Sequence, residues 1–157
     1  MRQQVEVSAL HPTGTAKEAF AVLRDLDRHV TTEGVIRALR IERRQRDSRI
    51  SHWDVRFRNG VLRWSQRDEL DEDSGTMRFT SVDGDVAVLE GAWRVTDADE
   101  GVRIAFWCEF DLGIPSLSEF IDPVAKRLLK ETVRAQLVEI FGPELVFHRL
   151  ADPVARE

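Results

Sequence analysis

Val102-Arg103-Ile104-Ala105-Phe106-Trp107-Cys108-Glu109-Phe110-Asp111-Leu112, with the segment from Pro115 to Pro143 behind it, is the stretch on which the fold turns. Val102, Ile104, Phe106, Cys108, Phe110 and Leu112 share one parity, which is the period of a β-strand with one face buried. Trp107 has the opposite parity and is expected to face outward. Pro115 breaks the strand, and Ser116 with Glu119 predicts a capping box that starts a short turn of helix. Asp122-Pro123 then supplies an N-cap and a proline at a first helical position, where its missing N–H is harmless. Leu128, Leu129, Thr132, Val133, Gln136, Leu137, Ile140 and Phe141 recur at helical spacing up to the stop signal Gly142-Pro143. A helix of about 20 residues, about 30 Å long, is long enough to cross a whole sheet.

Upstream the alternation repeats strand after strand: Trp53/Val55/Phe57, Leu62/Trp64 with Leu70, Met77/Phe79, and Leu89/Trp93/Val95. Their separators are Asn59-Gly60, a strong tight-hairpin signal, and the acidic loops Asp71–Gly75, Asp83–Asp85 and Asp97–Gly101, so neighbours should pair antiparallel. A first half-buried strand carries Val5 and Val7. Thr15 with Glu18 forms a capping box for a helix from about Ala16, with Ala19, Phe20 and Leu23 at helical spacing. Asp25-Leu26-Asp27 and Glu33-Gly34 mark a second, broken helical stretch before a strand resumes near Ile36. The reading is an α+β meander with a long C-terminal helix, and the tail after Phe147 receives no assignment.

Length and composition set the bounds. A chain of 157 residues, 42% apolar and 32% charged, fits one globular domain spanning residues 1–157. No apolar run approaches the roughly 20 residues of a membrane span, and the N-terminus shows no apolar stretch with a cleavage site, so a cytoplasmic protein is expected. The net charge of −5 argues against a nucleic-acid partner. Arg37, Arg40, Arg43, Arg44, Arg46 and Arg49 nevertheless crowd one segment, either as a solvated strand face or as a patch for an anionic surface or carrier. Cys108 is the single cysteine, which excludes an internal disulfide and reads as an inert core residue. The four histidines show no metal-ligand spacing, and no phosphate-cradling glycine loop or G-x-S-x-G elbow occurs, so no cofactor is implied.

The order of strand, short helices, strands and long helix resembles the helix-grip fold of the START-like superfamily, with its bacterial polyketide cyclases and coenzyme Q-binding proteins. More specifically, Gly60-Val61-Leu62-Arg63-Trp64-Ser65-Gln66-Arg67-Asp68-Glu69-Leu70-Asp71 is similar to a strand of that family. Asp83-Gly84-Asp85, Leu89-Glu90-Gly91-Ala92-Trp93-Arg94-Val95, and Phe106 to Phe110 before Pro115 look like consecutive strands of its quinone-binding branch. The resemblance runs from about Val5 to Gly142. It implies a curved antiparallel sheet of about seven strands wrapped around the C-terminal helix, with a hydrophobic cavity between them. In the family's cyclases an arginine follows the strand's tryptophan by four positions. That position here is Asp68, Arg67 lies one residue earlier, and the chain contains no tyrosine.

Alternation sets Leu62, Trp64, Gln66, Asp68 and Leu70 on one face of their strand, so Asp68 and Gln66 are the candidate catalytic residues. An inward carboxylate desolvated there is expected to have a raised pKa and to act as a general base, while the bland alternative is a strand-end carboxylate reaching water or a backbone donor. The expected cavity lining is Trp53, Phe57, Trp64, Phe79, Ser81, Leu89, Trp93, Phe106, Cys108, Phe110, Val124 and Leu128. Two functions follow from the resemblance. One is a cofactor-independent polyketide cyclase, aromatase or dehydratase, and the other is a non-catalytic carrier of a quinone, lipid or other hydrophobic product. The expected partners are that small molecule and an acyl carrier protein, with the chain a monomer or a homodimer.

Overall fold

The computed structural model describes residues 2–25, 36–57, 60–113 and 118–148, with side chains at 37, 38, 43, 44, 57 and 118–122 excepted. Strand β1 (Gln3–His11) leads through a turn into helix α1 (Ala16–Leu23). Then come β2 (Ile36–Arg44), β3 (Ser48–Phe57), β4 (Gly60–Asp71), β5 (Thr76–Gly84), β6 (Val88–Ala98) and β7 (Gly101–Asp111). Helix α2 (Ser118–Phe141) comes next, and a two-residue strand β8 (Val146–Phe147) ends the described chain. The eight strands form one sheet in the order β2-β3-β4-β5-β6-β7-β1-β8. Every pairing is antiparallel, as the hairpin loops required.

The predicted start of α1 holds. Glu18 N–H donates to Thr15 Oγ1 at 3.2 Å and Thr15 N–H donates to the Glu18 carboxylate at 3.0 Å, closing the capping box. Helix α2 departs from expectation at its start, since it runs 24 residues, back through Pro123 to Ser118. Pro123 lies inside this helix and lacks the N–H that would bond to the carbonyl of residue 119, and the helix continues through it. Ser116 of the expected capping box lies outside the described residues, as do Leu26, Asp27, Glu33 and Gly34. At the other end Gly142, at φ 98°, stops the helix as predicted, its N–H donating to Val138 O at 2.8 Å. The chain then returns to add β8 beside β1, Phe147 opposite Ala9. The Arg134 guanidinium covers the Phe147 ring from 4.6 Å.

The concave face carries the core. Val5, Val7, Ala9, Val95, Ile104 and Cys108 are buried there together with Phe20 and Leu23 of α1 and Val133 and Leu137 of α2. Phe106 packs at 4.6 Å from Trp93 and 5.7 Å from Phe79, ring centre to ring centre. Trp107 faces outward and is 39% exposed, as its parity required.

Gly91 of β6 marks a close approach of two strands and lies between Phe79 of β5 and Cys108 of β7. A Cβ there would stand 2.0 Å from the Trp107 carbonyl oxygen and 2.7 Å from Cys108 Cα, so β6 and β7 approach more closely than any side chain permits. Gly91→Ala should therefore lower stability by about 1–3 kcal/mol through overpacking, read as a shift in urea midpoint with an unchanged slope. A midpoint equal to wild type would show that the strands separate without strain.

Candidate functional site

Helix α2 packs chiefly against β1, and its N-terminal half stands over β3 and β4. Between them lie two adjoining cavities of about 60 Å³ each, sharing Val55, Trp64, Leu89, Leu129 and Thr132 as common wall. The outer one is apolar apart from Arg56 and Thr132, and Phe110 and Leu128 help to line it. The inner one is walled by Trp53, Phe79, Trp93 and Phe106, with Gln66 of β4 and Thr132 and Gln136 of α2 as its polar members.

Two tryptophans of this wall, Trp53 and Trp64, are held by a polar network. Trp53 and Trp64 are direct cross-strand partners, and their rings stack 5.9 Å apart, 1° from parallel. Trp53 Nε1 donates to Ser51 Oγ at 2.9 Å, and Ser51 Oγ donates to Asp68 Oδ2 at 2.9 Å. Trp64 Nε1 donates to Gln66 Oε1 at 2.8 Å, and Gln66 Nε2 donates to Asp68 Oδ1 at 2.7 Å. An indole N–H is only a donor and a carboxylate only an acceptor, so the Gln66 amide has a single satisfactory orientation. Both chains of hydrogen bonds converge on Asp68, which is 1% exposed.

The counter-charge comes from Arg49, the cross-strand partner of Asp68, whose Nε meets Oδ2 at 2.9 Å. Its other nitrogens donate to Arg24 O at 2.6 Å, at the C-terminus of α1, and to Met77 Sδ at 3.3 Å. Arg49 is 8% exposed and so leaves the surface basic segment to which its sequence neighbourhood had assigned it. Arg40 and Arg46 of that segment are exposed. The side chains of Arg37, Arg43 and Arg44 lie outside the description. Where the cyclase motif has an arginine on the tryptophan's own strand, this chain has a carboxylate, and a guanidinium reaches it from the next strand.

Of the expected lining, Trp53, Trp64, Phe79, Leu89, Trp93, Phe106, Phe110 and Leu128 reach the cavities, together with Gln66. Asp68 sits behind Gln66, not in the wall. Ser81 instead accepts the Leu89 N–H at 3.2 Å. Cys108 is fully buried in the core and Val124 is half-buried while its neighbour Ala125 lines the cleft. The Phe57 side chain is outside the description. Sequence reasoning passed over Thr132 and Gln136 as lining, although both stand on the helix's apolar stripe, where a buried polar side chain is itself the signal.

Residues 14–137 match the family described as polyketide cyclase/dehydrase and lipid transport. No curated protein matches the chain. Among solved structures, the chain is similar to TTHA0849 from Thermus thermophilus (TM-score 0.78, 21% identity, 88% of this chain and 94% of that one). It is also similar to the Zhui aromatase/cyclase from a Streptomyces species, at TM-score 0.77 and 13% identity over 92% of this chain and 94% of that one. A third similar structure is the di-domain ARO/CYC StfQ of the steffimycin biosynthetic pathway, at TM-score 0.69 and 14% identity, covering 88% of this chain and 50% of that one.

The buried groups have measurable consequences for stability. Asp68→Asn keeps the shape but leaves the Arg49 guanidinium without its counter-charge, so it should destabilise the protein by about 3–5 kcal/mol in urea unfolding. A variant as stable as wild type would mean that water reaches the pair. Burial pushes the Cys108 thiol up from 9.0 to about 12. Across that window the unfolded chain has released a proton that the folded chain retains, so folding loses stability as pH rises from 9.0 towards 12. Cys108→Ala should show a shallower alkaline decline than wild type in pH-dependent denaturation, and parallel declines would remove the thiol as its cause.

Proposed function

The chain belongs to the polyketide cyclase/dehydrase and lipid transport family, and from that premise we propose that it binds a flat, largely apolar polyketide-like molecule in the cleft between the sheet and α2. The observation that carries this reading is the stacked Trp53–Trp64 pair, whose indole N–H groups are both committed behind the wall. Only aromatic carbon is left to face a ligand, which suits a planar ring system. Gln66 gives one amide N–H to Asp68, and its second N–H has no protein acceptor among the described residues. It is the group on which a ligand carbonyl would seat.

Cavities of about 60 Å³ are far smaller than the roughly 300–1,000 Å³ that enclose a drug-sized ligand, so binding requires the cleft to widen. Widening is cheapest over β3 and β4, where Leu128 and Leu129 are half-buried, and dearest near Val133 and Leu137, which are buried.

A catalytic reading rests on the same amide. A hydrogen bond from Gln66 to a ketone favours enolisation of the adjacent carbon, the first step of an aldol closure or a dehydration. Asp68, already accepting from Arg49, Ser51 and Gln66, then acts by orienting Gln66, while the proton is taken by water or substrate. Carriage needs only the walls, whereas cyclisation needs Gln66.

Titration with a polyphenolic aromatic ketone should quench tryptophan fluorescence in wild type. Gln66→Leu should weaken that binding by about tenfold, the loss of one buried hydrogen bond. The same variant should abolish turnover of a poly-β-keto thioester if the protein is a cyclase. Absence of quenching at high micromolar ligand would overturn the binding reading, and equal turnover by wild type and Gln66→Leu the catalytic one.

A further inference from the structure

The strands that face Trp53 and Trp64 into the cleft present His52 and Ser65 on the opposite, convex face, because side chains alternate along a strand. His52 and Ser65 are direct cross-strand partners, and His52 Nδ1 lies 2.5 Å from Ser65 Oγ. On the other side of the imidazole, Nε2 lies 3.3 Å from Glu42 Oε2. Nε2 is buried and has no aligned hydrogen-bond partner, so this contact is electrostatic, off the line of a hydrogen bond. The carboxylate nevertheless favours the proton on Nε2. That tautomer leaves the Nδ1 lone pair as acceptor for the Ser65 hydroxyl proton.

Two irregularities of the sheet meet at this line. Arg40 pairs with His52, Ile41 with Ser51 and Arg43 with Ile50, so Glu42 is the extra residue of a bulge, a device that re-aims a side chain. A second register shift comes after Ser65, which pairs with Asp83 while Gln66 pairs with Ser81. His52 and Ser65 line a convex groove of about 380 Å³, together with Arg40, Arg63, Asp54 and Asp83. Arg63 Nε donates to Asp54 Oδ2 at 3.2 Å, which holds one cation of the groove in place.

We infer that this groove is a second reactive site, in which Ser65 is a nucleophile activated by His52 and oriented through Glu42, and that it accepts acyl groups from activated esters or thioesters. The arrangement has the parts the chemistry needs: a hydroxyl within reach of a base, a carboxylate beside the base's far nitrogen, and Arg40 in the lining of the groove. Ser65 Oγ bonds to the acyl carbon as its proton passes to His52 Nδ1. The bond from that carbon to the leaving group then breaks, and the leaving group departs with the proton. The products are an acyl-serine and a free alcohol, phenol or thiol. No sequential motif announces the site, because its members lie on three strands and meet only through register.

The test is incubation of the full chain with 4-nitrophenyl acetate, followed by mapping of the acetylated residue by peptide mass spectrometry. Wild type should release nitrophenolate in a burst of one equivalent and carry the acetyl group on Ser65. His52→Gln should slow acetylation of Ser65 by about 100-fold and Glu42→Gln by about tenfold, with folding checked by circular dichroism. Mapping on the wild type needs no variant, so a variant that fails to fold does not affect the result. Acetyl groups confined to lysines or the N-terminus, or equal labelling of Ser65 in wild type and His52→Gln, would overturn the inference.

Discussion

The buried pair of Arg49 and Asp68 is the constraint around which the ligand face is arranged. Withdrawing two charges from water is expensive, and the expense is met only when every remaining donor and acceptor is satisfied. Asp68 meets that condition with three donors from two strands, and Arg49 with the carboxylate, a backbone carbonyl and a sulfur. The pair therefore dictates its neighbours. Ser51 and Gln66 are fixed by Asp68, and Trp53 and Trp64 are fixed in turn by Ser51 and Gln66. Through Arg24 O the same guanidinium ties the end of α1 to β3. A wall whose polar atoms are so largely engaged presents mostly carbon, and the Gln66 amide stands out on β4 for that reason.

Much of the architecture was legible because period and parity are local properties. The outward Trp107, the inward Asp68, the capping box of α1 and the stop at Gly142 all follow from residues a few positions apart. What was missed depends on contacts distant in sequence. Arg49 lies 19 positions from Asp68 and sits in a run of arginines, so composition pointed it towards solvent, and only the register of β3 on β4 reveals the partner. Cys108 shares the parity of Phe106 and Phe110 yet does not line the cleft. Lining depends on where α2 stands away from the sheet, which no strand pattern records. Strand β8, two residues long, is too short to carry any alternation.

One hairpin, β3–β4, serves both faces. Its inward side chains form the tryptophan wall and the ion pair, while its outward ones include His52, Ser65, Asp54 and Arg63. The bulge at Glu42 and the register shift after Ser65 disturb the pairing of this hairpin with its neighbours without disturbing the pairing within it, where register is continuous from Ser48–Glu69 to Phe57–Gly60. Backbone irregularity is thus kept to the flanks, and an evenly paired strand couple separates two chemically different surfaces.

The near-parallel stack of Trp53 on Trp64 also makes the protein its own optical gauge. Two indoles whose centres lie 5.9 Å apart couple their electronic transitions, so the excitation of one is shared with the other. The chain has no tyrosine to overlie that signal, and its other two tryptophans stand elsewhere, Trp93 against Phe106 and Trp107 on the outer face. That coupling weakens steeply as the rings part. A slight change in the wall of the cleft is therefore written into the spectrum of the unlabelled molecule.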